Sequence, residues 1–202
     1  AAESLRAIST ERRSRGRRYY ERVAGLGVQA AEGLDHAHQV GIVHRDVKPA
    51  NLLLDVRGDL WIADFGLALF RGDSRATMTG ELVGTVRFMS PEQATAGEQG
   101  VDHRTDIYSL GITLYELATL TPAVEGRDRN ELLRRIAQEE PRPPRAVDPS
   151  LPVDLETIIL KAIAKDPSDR YTTAREMADD LRRFAADRPI LARRPSPSEG
   201  VA

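Results

Sequence analysis

Residues 107–118 restrict the possible folds of this chain more than any other segment. Ile107, Leu110, Gly111, Leu114, Leu117 and Ala118 recur at helical spacing and leave almost no polar face. A helix that is apolar on most sides has to be wrapped on several sides by the rest of the chain. The wrapping elements can be read from the same periodicity. Val23, Ala30, Leu34 and Ala37 predict an amphipathic helix from Tyr20 that stops at Gly41. Further helices are expected around Leu132, Leu133 and Ile136, then around Leu155, Ile158, Ile159 and Ile163, and last around Met177, Leu181 and Phe184. Thr173 with Glu176 three residues later has the spacing of a capping box at the start of the last one. Strand signal is confined to residues 52–54 and 60–62, which flank the turn residues Asp55, Arg57, Gly58 and Asp59 and read as a small hairpin. The expected fold class is mainly α, a helical bundle carrying one small β-hairpin.

At 202 residues, 41% of them hydrophobic, the chain is long enough to bury one sizeable core. Its 29 basic and 31 acidic side chains give no general attraction to nucleic acid or anionic membranes, so neither is expected as a partner. The arginines at positions 6, 12, 13, 15, 17 and 18 lack interleaved aromatics, and residues 1–19 read as a solvated lead-in to the first helix. The absence of cysteine excludes disulfides and thiolate metal sites, which suits a reducing compartment. No apolar run approaches the roughly 18 residues of a membrane span. A cytoplasmic location is expected for this chain, while regions of a longer parent could carry an anchor. The body of the domain runs over 20–186, and from Asp187 the composition turns to Arg, Pro and Ser, predicting a linker over 187–202.

The chemistry is concentrated in His44-Arg45-Asp46-Val47-Lys48-Pro49-Ala50-Asn51, with Asp64-Phe65-Gly66 thirteen residues further on. A loop carboxylate can accept the proton of an attacking hydroxyl, and a lysine two residues later can reach a transferring phosphoryl group. An asparagine oxygen and a second carboxylate, brought together by a hairpin, are the hard oxygen donors that Mg²⁺ takes. The pattern points to phosphoryl transfer. His36 and His38 sit two apart on a helix, facing different ways, and make no metal pair.

These residues resemble the protein kinase family, with the catalytic loop at 44–51, the metal-binding DFG at 64–66 and Ser90-Pro91-Glu92 closing an activation segment over 64–92. The resemblance implies the C-terminal lobe of a serine/threonine protein kinase that uses ATP and Mg²⁺. It implies that Asp46 is the catalytic base, Lys48 the phosphate-stabilising lysine, Asn51 and Asp64 the magnesium ligands, and Leu53 the floor beneath adenine. His44 and Phe65 are implied to pack together inside the lobe, and Asp106 to anchor the backbone of the catalytic loop. Glu92 is implied to pair with Arg170. Arg45, directly before the catalytic aspartate, suggests switching by phosphorylation of Thr77 or Thr79, with Ser74 a further hydroxyl in the same loop.

Upstream, the sequence departs from the family. It shows no glycine-rich phosphate loop, because Gly25 and Gly27 lie inside a helical pattern, and no strand lysine with a glutamate partner. The expected partners are ATP, protein substrates with Ser or Thr acceptors, and an N-terminal lobe that this chain lacks. Little nucleotide affinity is expected of the chain alone. Two alternatives compete. A catalytically inactive docking lobe would have no chemical reason to keep Asp46, Lys48, Asn51 and Asp64 together, and a small-molecule phosphotransferase would lack the segment from Asp64 to Glu92.

Overall fold

The computed structural model describes residues 16–65, 86–96 and 101–193. Helix α1 spans Arg17–Gln39, starting three residues before the periodicity predicts. The reason lies in long-range bonds. Arg17 pairs with Glu21 one turn on and with Asp187, far along the chain, so the first turn is held although no side chain caps it. The helix ends where Gly41 takes a left-handed backbone at φ 80°. Its N–H donates to the His38 carbonyl and that of Ile42 to the Ala37 carbonyl, the crossed pair that closes a Schellman end.

A 3₁₀ turn over Pro49–Asn51 leads into β1, Leu52–Leu54, which pairs antiparallel with β2, Leu60–Ile62. Asp55 builds the turn by accepting the N–H groups of Arg57 and Asp59, while Gly58 supplies a φ of 90°. Gln29 of α1 clamps this hairpin, accepting from the Leu60 N–H and donating to the Gly58 carbonyl. Leu52, Leu60 and Ile62 pack on the core, and Leu53 and Trp61 point outward.

The helix read from the apolar stripe is α3, Arg104–Thr119, and nearly all of its residues are buried. Three of its hydroxyls are satisfied by carbonyls, Thr113 and Thr119 donating one turn back and Ser109 to the Phe88 carbonyl. Around it lie α1, α6 (Val153–Ala162), the short α5 (Pro144–Val147) and α7 (Ala174–Ala185). Gly111 decides the approach of α6: a Cβ there would lie 2.7 Å from Ile163 and 2.8 Å from Ala162. Helix α2, Pro91–Ala96, packs on α4, Arg129–Gln138. Thr173 caps α7 by accepting from Glu176 N–H, and the Glu176 carboxylate reaches back to the Thr172 N–H. No helix among the described residues is long and apolar enough to cross a membrane.

The stretch that composition marks as a linker begins as packed structure. Asp180, 2% exposed, accepts from the N–H groups of Leu191 and Ala192 and from the Tyr171 hydroxyl. Ala192 is buried, and Ile190 packs against the core. Burial beside this carboxylate pushes the Tyr171 phenol well above its ordinary range. Residues 194–202 lie outside the described part. Asp180→Ala would strand three donors in the interior and is expected to cost about 3 kcal/mol of unfolding free energy, measured by urea titration.

Candidate active site

Asp106, at the start of α3 and fully buried, organises the loop that follows α1. Its two carboxylate oxygens accept the backbone N–H groups of His44, at 2.8 Å, and Arg45, at 2.7 Å. His38 Nε2 lies 2.7 Å from the same carboxylate. These contacts hold Arg45 in a left-handed conformation at φ 66°, a cost that the neighbouring bonds offset. His44 Nδ1 accepts from the Asp46 N–H, so its proton sits on Nε2, which donates to the Ala63 carbonyl at 2.8 Å. One imidazole thereby ties the loop that carries Asp46 to the residue before Asp64. The Phe65 ring packs against it edge-on, with centroids 4.6 Å apart. Against the expectation that it lies inside the lobe, Phe65 is 39% exposed, because among the described residues its ring contact is with His44 alone.

Asp46 sits at the centre of a polar cluster. Lys48 Nζ donates to its Oδ2 at 2.8 Å, and Asn51 Nδ2 donates to the Asp46 carbonyl at 2.8 Å and to Oδ2 at 3.2 Å. With its amide nitrogen committed, the oxygen is the end of Asn51 that can serve a cation. The Ala63 N–H donates to the Asn51 carbonyl, extending the hairpin ladder by one bond, and Asp64 follows directly after that pair. Asp64 itself is exposed and left-handed, at φ 62°. Two oxygen donors from protein fit magnesium, which keeps several waters and takes its other ligands from phosphate. Among the described residues there is no cluster of three or more acidic or histidine ligands that would indicate a metal cage.

Ser90 and Gln93 are bound to this loop and to the start of α3. Gln93 accepts from the Ser90 N–H and donates to the Arg45 carbonyl, while the Ser90 and Thr105 hydroxyls bond at 2.7 Å. Glu92 receives two parallel bonds from Arg170, at 2.7 and 2.8 Å. The remaining Arg170 donors meet the carbonyls of Ala164, Arg104 and Lys165, and the guanidinium lies 4.9 Å from the centre of the Tyr108 ring. Burial alone would raise the Glu92 pKa, but the hydrogen bonds and charge of Arg170 outweigh it and hold the carboxyl below its ordinary value. Thr77, Thr79 and Ser74 lie outside the described residues, as does Gly66.

Over residues 5–181 the sequence matches the family described as protein kinase domain. The chain belongs to the protein kinase family. It is 41% identical, over 85% of its length, to a Streptomyces coelicolor protein named probable serine/threonine-protein kinase, of which it covers 26%. It is equally similar, at 41% over 79% of its length, to the serine/threonine-protein kinase PknB of Mycobacterium leprae, again covering 26%. A Clostridium perfringens protein named probable serine/threonine-protein kinase is 38% identical over 83% of the chain. The chain spans about a quarter of the length of the curated relatives it matches.

Within this kinase lobe the structure adds residues that sequence reasoning passed over. His38 faces inward to Asp106, whereas His36, two positions away, is exposed. Gln93 joins the Ser90-Pro91-Glu92 stretch to the loop that carries Asp46. Neither has a local signal: a histidine or glutamine on a helix is ordinary until the distant partner is known.

Proposed function

We propose that this chain is the substrate-binding lobe of a serine/threonine protein kinase and works with an N-terminal lobe that completes the nucleotide cleft. The observation that carries the reading is the clustering of Lys48 and Asn51 on the carboxylate of Asp46, with the residue before Asp64 bonded to the Asn51 carbonyl. Asp46 accepts the proton of a substrate serine or threonine hydroxyl as its oxygen forms a bond to the γ-phosphorus of ATP. The bond from that phosphorus to the β–γ bridging oxygen breaks, and ADP leaves with the electron pair. Lys48 neutralises charge growing on the transferring group while holding the Asp46 carboxylate in place. Asn51 and Asp64 would hold Mg²⁺, which supplies charge neutralisation on the phosphates when bound. Leu53 serves as the floor beneath adenine.

The lysine at position 48 favours serine and threonine over tyrosine acceptors, by resemblance to that branch of the family. Incubating the full-length protein with γ-labelled ATP, Mg²⁺ and matched Ser, Thr and Tyr peptides tests it. Label is expected on the Ser and Thr peptides, and labelling of the Tyr peptide alone would overturn the assignment.

We further infer that phosphate on Thr77 or Thr79 pairs with Arg45, since a guanidinium is suited to bidentate phosphate recognition. The backbone of Arg45 is fixed by Asp106, so order at its side chain passes directly to the neighbouring Asp46. Mass spectrometry of the active protein is expected to find the modification at one of these threonines, and full activity with both unmodified would refute it.

A further inference from the structure

We propose that Trp61 forms, with Leu53, an apolar platform that carries the base of the nucleotide, an inference that rests on the ATP site proposed above. The two residues are direct partners in the hairpin register. Opposed residues of an antiparallel pair project from one face with Cβ atoms about 5 Å apart, so their side chains form a single surface. That surface is open. Trp61 is 64% and Leu53 39% exposed, whereas their strand neighbours Leu52, Leu60 and Ile62 pack on the core. Nothing in the packing of the described lobe requires an indole here. The chain has one tryptophan, and it stands on the outer face of a three-residue strand.

The position of the pair selects its occupant. Leu53 lies two residues along β1 from Asn51, and Trp61 three residues before Asp64. At about 3.3 Å per residue, the apolar pair stands roughly 7 to 10 Å from the residues assigned to the metal. Lysine and oxygen donors therefore occupy one end of a short hairpin, and an exposed apolar pair the other. This polarity matches a purine nucleotide, whose flat apolar base is separated from its magnesium-bound phosphates by a ribose. Base–aromatic contact is sequence-tolerant and favourable.

The test uses the full-length protein and its Trp61→Ala and Trp61→Phe variants. Calorimetry with Mg·ATP is expected to show binding about tenfold weaker in Trp61→Ala, within the range of base–aromatic contacts, and little changed in Trp61→Phe, which keeps a ring. Binding of magnesium pyrophosphate, which occupies only the phosphate end, is expected to be equal in all three. The part of the tryptophan fluorescence that Trp61→Phe removes is expected to change on addition of Mg·ATP. An ATP affinity within twofold of wild type in Trp61→Ala would overturn the proposal. So would a parallel loss of pyrophosphate binding, which would mark a general defect or a platform covered by another part of the protein. ATP binding that depends on Trp61, without phosphate transfer to any peptide, would overturn the kinase activity and leave the platform standing. Active transfer with an ATP affinity blind to Trp61 would do the reverse.

Discussion

Asp46→Asn is expected to lower phosphoryl transfer by about 10³-fold while leaving the lobe folded, within the 10²- to 10⁴-fold range of a positioned general base. The amide keeps the size of the carboxylate and one oxygen for Lys48, so the cluster around it should persist. What it loses is the ability to take a proton at the moment the hydroxyl attacks. Turnover of a Ser/Thr peptide is to be compared with peptide KM and with the thermal midpoint. A fall in kcat with both other quantities near wild type is the signature of the base. Asp64→Ala should also reduce turnover steeply, but with a dependence on Mg²⁺ concentration that Asp46→Asn lacks, because it removes a proposed metal ligand. Near-normal turnover in either variant would refute the role given to that residue.

Arg170→Ala is expected to cost about 3 to 5 kcal/mol of stability, a large part of what a domain of this size has. The Arg170 side chain is fully buried and that of Glu92 only 14% exposed. Removing the cation leaves Glu92 without its partner and takes a donor from three carbonyls. Glu92→Gln leaves the guanidinium charge in the same place uncompensated. Arg170→Lys should rescue little, since an ammonium offers three donors from one point where the fork reaches five acceptor atoms on four residues. Urea unfolding of both single variants and the double variant gives the coupling. The ion pair Arg135–Glu131, one turn apart on α4 and 37% and 22% exposed, provides the contrast, with an expected effect of about 0.5 kcal/mol or less.

The same pair fixes a dependence on pH. Glu92 has a folded-state pKa held below its ordinary value near 4.5, so its contribution is complete above that value. As the pH falls below it towards the folded pKa, protonation removes the contribution. The stability difference between wild type and Glu92→Gln should therefore be constant at neutral pH and shrink below about pH 4.5. A difference that grows on acidification would contradict the pairing.

The mainly α fold, the buried central helix, the small hairpin and the kinase family were all legible in the sequence. Each is written in short-range terms: apolar residues three and four apart, turn residues between two apolar triplets, and chemical groups at fixed spacing within one loop. Asp46, Lys48 and Asn51 lie within six residues, so local chain geometry goes far towards bringing them together. What the tertiary structure decided is of another kind. The bond from His38 to Asp106 joins residues 68 apart, and that from Gln93 to Arg45 residues 48 apart. The early start of α1 depends on Asp187, 170 positions away, and the packed course of residues 190–192 on the buried carboxylate of Asp180. Composition marks that last stretch as linker because arginine and proline are solvent-loving on average. Its backbone nevertheless finds an interior acceptor, and a buried carboxylate is satisfied only by whatever donors the fold brings to it. Periodicity describes which face of an element is buried; which polar groups meet across the buried space is set when the elements pack.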